Sequence, residues 1–127
     1  MSKNFYIVAT PIGNLEDITY RAIRILQGVD IILCEDTRVT QKLLNHYDIQ
    51  TKTQSYHAQA SSKKEEIIIT SIQDGLTYAL VSDAGTPTIS DPGVKLIARI
   101  RENCPDVKII SIPGASAIIT GLSTTGL

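Results

Sequence analysis

Charge of one sign is what this sequence has least of. Its 12 Lys and Arg stand against 13 Asp and Glu, a formal net charge of −1. No global basic field announces a nucleic-acid partner, although a balanced total leaves room for a local patch. Cysteine is scarce too: Cys34 and Cys104 are far apart and neither has the partner spacing of a zinc site. They read as buried free thiols in a reducing cytosol, and no metal site is expected. No apolar run is long enough to span a membrane. Met1 to Asn4 is polar and leads directly into a strand, so no signal peptide is expected and the location reads as cytoplasmic. The phosphate-binding signatures are missing. The first strand-end loop has one glycine rather than three, and no Gly-Lys-Ser/Thr occurs. Thr10 and Pro11 stand where a phosphorylated receiver would carry its acidic cluster, and no nucleophile elbow is visible. Internal repeats, low-complexity segments and linkers are absent as well.

What is present is a regular alternation of strand and helix in a chain of 127 residues, a length suited to one domain with a real core. Phe5–Ala9, Val29–Cys34, Thr51–Gln54, Leu76–Val81 and Val107–Ile110 read as strands. The first helix carries Leu15, Ile18, Ala22, Ile25 and Leu26 at helical spacing, with Asn14 and Asp17 as a box-like start and Gly28 as the stop. The second presents Val39, Leu43, Leu44 and Tyr47 on one side. Ser62 and Glu65 form a capping box for the third, which Gly75 stops, and Lys63 to Glu66 read as a solvated face. The fourth opens at Asp91-Pro92 and carries Val94, Leu96, Ile97 and Ile100. A small-residue helix over 117–122 follows the last strand. This pattern predicts an α/β fold: a three-layer sandwich with a five-stranded parallel sheet and helices on both faces.

The loops divide into two kinds. Those that follow helices are plain caps and turns. Those that follow strands hold the unusual residues: Thr10 to Asn14, Glu35 to Arg38, Ser55 to Gln59, Ser82 to Pro92 and Pro113 to Ser116. A parallel sheet gathers all of these at the carboxyl ends of its strands, where open α/β folds bind ligands. The stretch from Ser82 to Gly93 is longer than a strand-to-helix connection needs, and its small residues allow a ligand close to the backbone.

Four segments in order carry a resemblance. They are Tyr6 to Asp17 (YIVATPIGNLED), Cys34 to Arg38 (CEDTR), Leu80 to Gly93 (LVSDAGTPTISDPG) and Ile112 to Ala117 (IPGASA). Together they resemble the ribosomal RNA small-subunit methyltransferase I family, within the tetrapyrrole methylase superfamily, and the likeness covers essentially the whole chain. The resemblance implies S-adenosylmethionine-dependent methylation of a cytidine ribose 2′-hydroxyl in small-subunit (16S) rRNA. It implies a cytoplasmic homodimer acting on the rRNA or ribosomal subunit, with the cofactor in a cleft between two domains. Carried onto this chain, the cofactor would be lined by Asp83, Ala84, Gly85, Thr86 and Ile89, then by Pro113, Gly114, Ala115 and Ser116. Thr10 and Pro11 would face the same cleft, and Glu35, Asp36 and Arg38 the substrate. The chain departs from the family at Thr88, where a small residue is usual, and at Tyr56-His57-Ala58-Gln59, where a His-Glu-His-Asn-like run is common. It also stops at Leu127, where the family continues into a second domain, so residues 1–127 read as the N-terminal domain with the C-terminal one absent.

The chemistry is consistent with those residue types. A sulfonium donor has no phosphate and needs no P-loop. Methyl transfer is a displacement in which alignment supplies much of the rate. A ribose hydroxyl is a weak nucleophile and gains from a base, for which Glu35 and Asp36 are both candidates. Arg38 could hold a backbone phosphate. Two other readings stay open: a superfamily methylase acting on a tetrapyrrole or a protein residue, and a non-enzymatic α/β binding module. Lys63 to Glu66, His46, Arg21 and Arg24 read as solvated surface. If the donor cleft is shared between two domains, residues 1–127 alone should be inactive and bind S-adenosylmethionine weakly or not at all. Calorimetry checks this, and tight binding by the isolated chain would contradict the shared cleft.

Overall fold

The computed structural model of the protein describes residues 4–10, 15–56, 62–82 and 91–112. Five strands form one parallel sheet: β1 (Asn4–Ala9), β2 (Ile31–Cys34), β3 (Lys52–Ser55), β4 (Tyr78–Ser82) and β5 (Lys108–Ile112). Four α-helices connect them in turn: α1 (Tyr20–Gly28), α2 (Thr37–His46), α3 (Ser62–Gln73) and α4 (Asp91–Asn103). The three-layer α/β expectation is met for these residues. The predicted helix over 117–122 and the caps assigned to Asn14 and Asp91 lie outside the described residues or side chains.

The strand order is β3-β2-β4-β1-β5. Connections β1–α1–β2 and β2–α2–β3 run toward one edge, and β3–α3–β4 and β4–α4–β5 run back toward the other. Crossovers of one hand must then put α1 and α2 on one face and α3 and α4 on the opposite face. The core divides accordingly. Phe5, Ile7, Tyr78 and Leu80 pack with Ile68, Ile72, Leu96 and Ile100 of α3 and α4. Val8, Ile32, Ala79 and Val81 pack with Ala22, Leu26 and Leu44 of α1 and α2. Strands β1, β2, β4 and β5 supply both faces by the two-residue alternation of their side chains, while polar β3 supplies neither cluster. Cys104 joins the first cluster and Cys34 the second; both are buried free thiols, as expected.

The amino ends of the strands are closed by local clasps. Asp30 accepts hydrogen bonds from the Thr77 amide at 2.7 Å and the Thr77 hydroxyl at 3.1 Å, while the Asp30 amide donates to the Thr77 carbonyl at 3.0 Å. The Thr51 hydroxyl donates to the Leu26 carbonyl at 2.6 Å. Helix α3 ends as predicted at Gly75, whose φ of +104° only glycine adopts readily. The Gly75 amide donates to the Ile72 carbonyl and the Leu76 amide to Ser71, a Schellman closure. Asp48 (φ +54°) closes α2 the same way, with its own amide bonded to Asn45 and that of Ile49 to Leu44.

Several boundaries differ from the sequence reading. Helix α1 begins at Tyr20, because the Thr19 hydroxyl accepts the Ala22 amide at 3.1 Å and caps it; Leu15 to Asp17 form a separate 3₁₀ turn, with Leu15 exposed. Gly28 is the last helical residue and lacks a positive φ, so α1 stops without a left-handed glycine. Val39 and Val94, assigned to apolar stripes, are exposed; the buried stripe of α2 is Thr40, Leu43 and Leu44.

Ile68 lies fully buried against the sheet. Ile68→Ala should cost about 2–5 kcal/mol of unfolding free energy. Gly75→Ala should cost about 1 kcal/mol through its left-handed φ. Both are read from urea unfolding midpoints.

Candidate functional site

The register brings three strand exits side by side. Ala9 lies opposite Ser82, and Val8 opposite both Val81 and Ile112. The segments beginning at residues 10, 83 and 113 therefore leave from adjacent strands, β1 in the middle. The connections of β1 and β4 then depart in opposite directions, which is the switch point where open α/β sheets form their ligand crevice. Of the residues assigned to the cofactor, the structure describes Thr10, buried immediately after β1. Pro11, Asp83, Ala84, Gly85, Thr86, Ile89, Pro113, Gly114, Ala115 and Ser116 lie outside the described residues. Ala9, Thr10, Ser82 and Ile112, the residues at the three exits, are all uncharged.

The residues assigned to the substrate side sit one strand further along. Leu33 pairs with Leu80, so Glu35 emerges beside the end of β4, on the side away from β1. With strands about 4.8 Å apart, the β2 and β1 exits are about 10 Å from each other. Glu35 is exposed. Asp36 has a second duty that its sequence context did not show: it is the N-cap of α2, and its Oδ1 accepts the Arg38 amide at 2.9 Å. The Arg38 Nε lies 3.4 Å from the same oxygen, with the Arg38 side chain 90% exposed and that of Asp36 39% exposed. The Arg38 amide, then the guanidinium, hold the Asp36 carboxyl below the usual carboxylate value. Asp36 is thus poorly disposed to take up a proton, and Arg38 is exposed at the first turn of α2.

Two interactions brace this edge. The Tyr47 hydroxyl donates to the Leu15 carbonyl, tying the turn that follows the first loop to the end of α2. The second is a buried ionic cluster that the sequence reading missed. Glu65 is 1% exposed, and neither caps α3 with Ser62 nor belongs to a solvated face. Its Oε2 accepts the hydroxyl of buried Tyr56 at 2.6 Å; its Oε1 accepts Nη1 of Arg99 at 3.0 Å and has Nζ of Lys95 at 3.6 Å. A visible signal was available: Glu65 is in phase with Ile68, Ile69 and Ile72, the inward stripe of α3. Burial pushes its carboxyl up. The Tyr56 hydroxyl, the Arg99 guanidinium and the Lys95 ammonium outweigh that and hold it below the usual value. Burial, then the bond to Glu65, push the Tyr56 hydroxyl well above its ordinary value. The cluster pins Tyr56, which directly follows β3, to helices α3 and α4.

Residues 4–127 match the family described as tetrapyrrole (corrin/porphyrin) methylases. The chain belongs to that family. This methylase-family chain is also similar to curated relatives called ribosomal RNA small subunit methyltransferase I. It is 51% identical over 122 residues to that of Vibrio cholerae and 53% identical over 123 residues to that of Halalkalibacterium halodurans, covering 96% of this chain and 42% of each relative. It is 49% identical over 127 residues to that of Rickettsia prowazekii, covering 100% of this chain and 45% of the relative. The chain therefore spans less than half the length of these relatives. Among solved structures it resembles a uroporphyrin-III-C-methyltransferase from Thermus thermophilus (TM-score 0.66, 18% identity, 100% of this chain and 54% of the other). It also resembles a cobalt precorrin-4 methyltransferase (TM-score 0.69, 16% identity, 97% and 50%). At those identities the likeness concerns the fold. Among the described residues, no helix is long and apolar enough to cross a membrane.

Glu65→Ala should cost about 2 kcal/mol, since it leaves buried Tyr56 and part-buried Arg99 without their acceptor. The depressed carboxyl contributes stability above the ordinary Glu value, and this is lost as pH falls through the native one. Glu65→Gln should therefore flatten the loss of stability below about pH 4.3, as read from denaturant midpoints across pH.

Proposed function

We propose that the protein carrying this chain transfers a methyl group from S-adenosylmethionine to the ribose 2′-hydroxyl of a cytidine in small-subunit rRNA. The chain forms the N-terminal half of that enzyme, and a second domain closes the donor cleft. The observation that carries this reading is identity near 50% over 96–100% of the chain with relatives named for methylating small-subunit rRNA. The switch-point crevice with uncharged strand exits supports it.

S-adenosylmethionine supplies an electrophilic methyl on a sulfonium. The segments that follow β4, β1 and β5 hold it: Asp83, Ala84, Gly85, Thr86 and Ile89; Thr10 and Pro11; and Pro113, Gly114, Ala115 and Ser116. The substrate approaches over the end of β2. Glu35 accepts the 2′-hydroxyl proton, a role better suited to an exposed carboxylate than to a capping one. Asp36 holds the first turn of α2 and steadies Arg38, whose guanidinium binds a backbone phosphate beside the target. The enzyme works as a cytoplasmic homodimer.

Incubating the full-length protein with labelled S-adenosylmethionine and small-subunit rRNA, naked and assembled, should yield labelled 2′-O-methylcytidine. No incorporation into either form would sink the proposal. Glu35→Gln should slow turnover by about 10²-fold or more with donor affinity unchanged. Asp36→Asn should instead act mainly on stability, within about 1 kcal/mol.

A further inference from the structure

Among the described residues, open clefts lie on the outer surfaces of the helices; three of them differ in chemistry. The cleft over α4 is lined by Val94, Ile97 and Ala98 with Arg101 and Glu102. The one over α3 mixes Lys63 and Glu66 with Ile67, Thr70 and Ser71. Each contains a carboxylate and apolar side chains. The third, about 430 Å³ between α2 and the edge strand β3, contains neither: Thr37, Arg38, Gln41, Lys42, Asn45 and Thr53 line it. In a chain with one more acid than base, two cations with two amides and two hydroxyls form a local exception.

The arrangement follows from the helix. Residues 37, 38, 41, 42 and 45 fall on one face by the three-to-four spacing, and they extend about 12 Å along α2. The row starts at the carboxyl end of β2, beside Glu35, and leads away from the reaction edge. The Gln41 amide donates to the Asn45 Oδ1 at 2.9 Å, which fixes both side chains and leaves the Asn45 amide group as a donor. Arg38 and Lys42 are exposed. No carboxylate lines the groove, although the Arg38 guanidinium at its head also pairs with the Asp36 carboxylate at 3.4 Å. Cations, amides and hydroxyls are the set that contacts phosphate and sugar in nucleic acids, where such contacts position the strand rather than read its bases.

We propose that the α2–β3 groove is a docking track for the sugar–phosphate backbone of the single-stranded RNA flanking the target nucleotide. This inference rests on the rRNA reading above and adds to it the path of the strand. Arg38 takes the phosphate nearest the reacting ribose; Lys42, Asn45 and Thr53 take the next ones along. The track binds without sequence preference, so it contributes affinity and register while the cleft supplies selection.

The test measures binding of a single-stranded small-subunit rRNA segment to the full-length protein by fluorescence anisotropy over a range of salt. Lys42→Gln should lower the slope of log affinity against log salt by about 0.7, the share of one phosphate contact. Lys42→Glu should weaken binding further, by about tenfold at moderate salt, raising KM for RNA with kcat and donor affinity unchanged. Asn45→Ala should weaken binding with the slope intact. Wild-type binding and methylation accompanied by unchanged slope and affinity in Lys42→Glu would overturn the track alone. A changed sedimentation coefficient in that variant with RNA binding unaffected would overturn it in favour of a protein contact. Failure of the wild-type protein to bind RNA at all would overturn both the track and the rRNA reading.

Discussion

The arrangement depends on one topological constraint: β4 is inserted between β1 and β2. Because β1 sends its connection past β4 toward β2 on one face, and β4 sends its own past β1 toward β5 on the other, the two central exits turn to opposite faces of the sheet. That is the position at which open α/β sheets form a ligand crevice. The same constraint sorts the helices, α1 and α2 to one face and α3 and α4 to the other, and thereby builds two separate apolar layers. It also places one strand, β4, between the acidic exit of β2 and the uncharged exit of β1. The exits of β2 and β1 are thus set about 10 Å apart by strand spacing alone.

The two ends of the sheet are treated differently. At the amino ends, Asp30 with Thr77, and Thr51 with Leu26, lock strands and helices by short hydrogen bonds, and helix α3 closes on a glycine that only a left-handed turn requires. At the carboxyl ends the bracing comes from longer range. Tyr47 reaches the turn after β1, and Glu65 draws Tyr56, Arg99 and Lys95 together across three elements. A buried carboxylate clamped by two cations is a poor way to gain stability compared with an apolar side chain of the same size. Its geometry is directional, however, and it sits where α3 and α4 must hold a fixed relation to the end of β3.

Asp36 shows how one carboxylate can serve two partners together. Asp36 terminates the helix that carries Arg38, and the same carboxylate orients the Arg38 side chain. Its lowered proton affinity follows from that engagement.

Much was legible in the sequence. Alternating apolar runs and helical stripes determined the element order, the parallel sheet and the edge on which the unusual loops collect, because those are properties of local periodicity and chain connectivity. The long motifs determined the family. The strand order was not legible, since pairing is a contest among distant segments that no local pattern reports. The burial of Glu65 was half visible, its phase matching the apolar stripe while its charge argued for solvent; only the arrival of Tyr56 and Arg99 from other elements made that burial affordable. The capping role of Asp36 and the start of α1 at Tyr20, after its cap Thr19, were decided by which side-chain oxygen lies within reach of which amide, a matter of ångströms. The groove between α2 and β3, lined by cations, amides and hydroxyls, likewise joins residues from two elements, and it exists only because the sheet places the edge strand beside that helix.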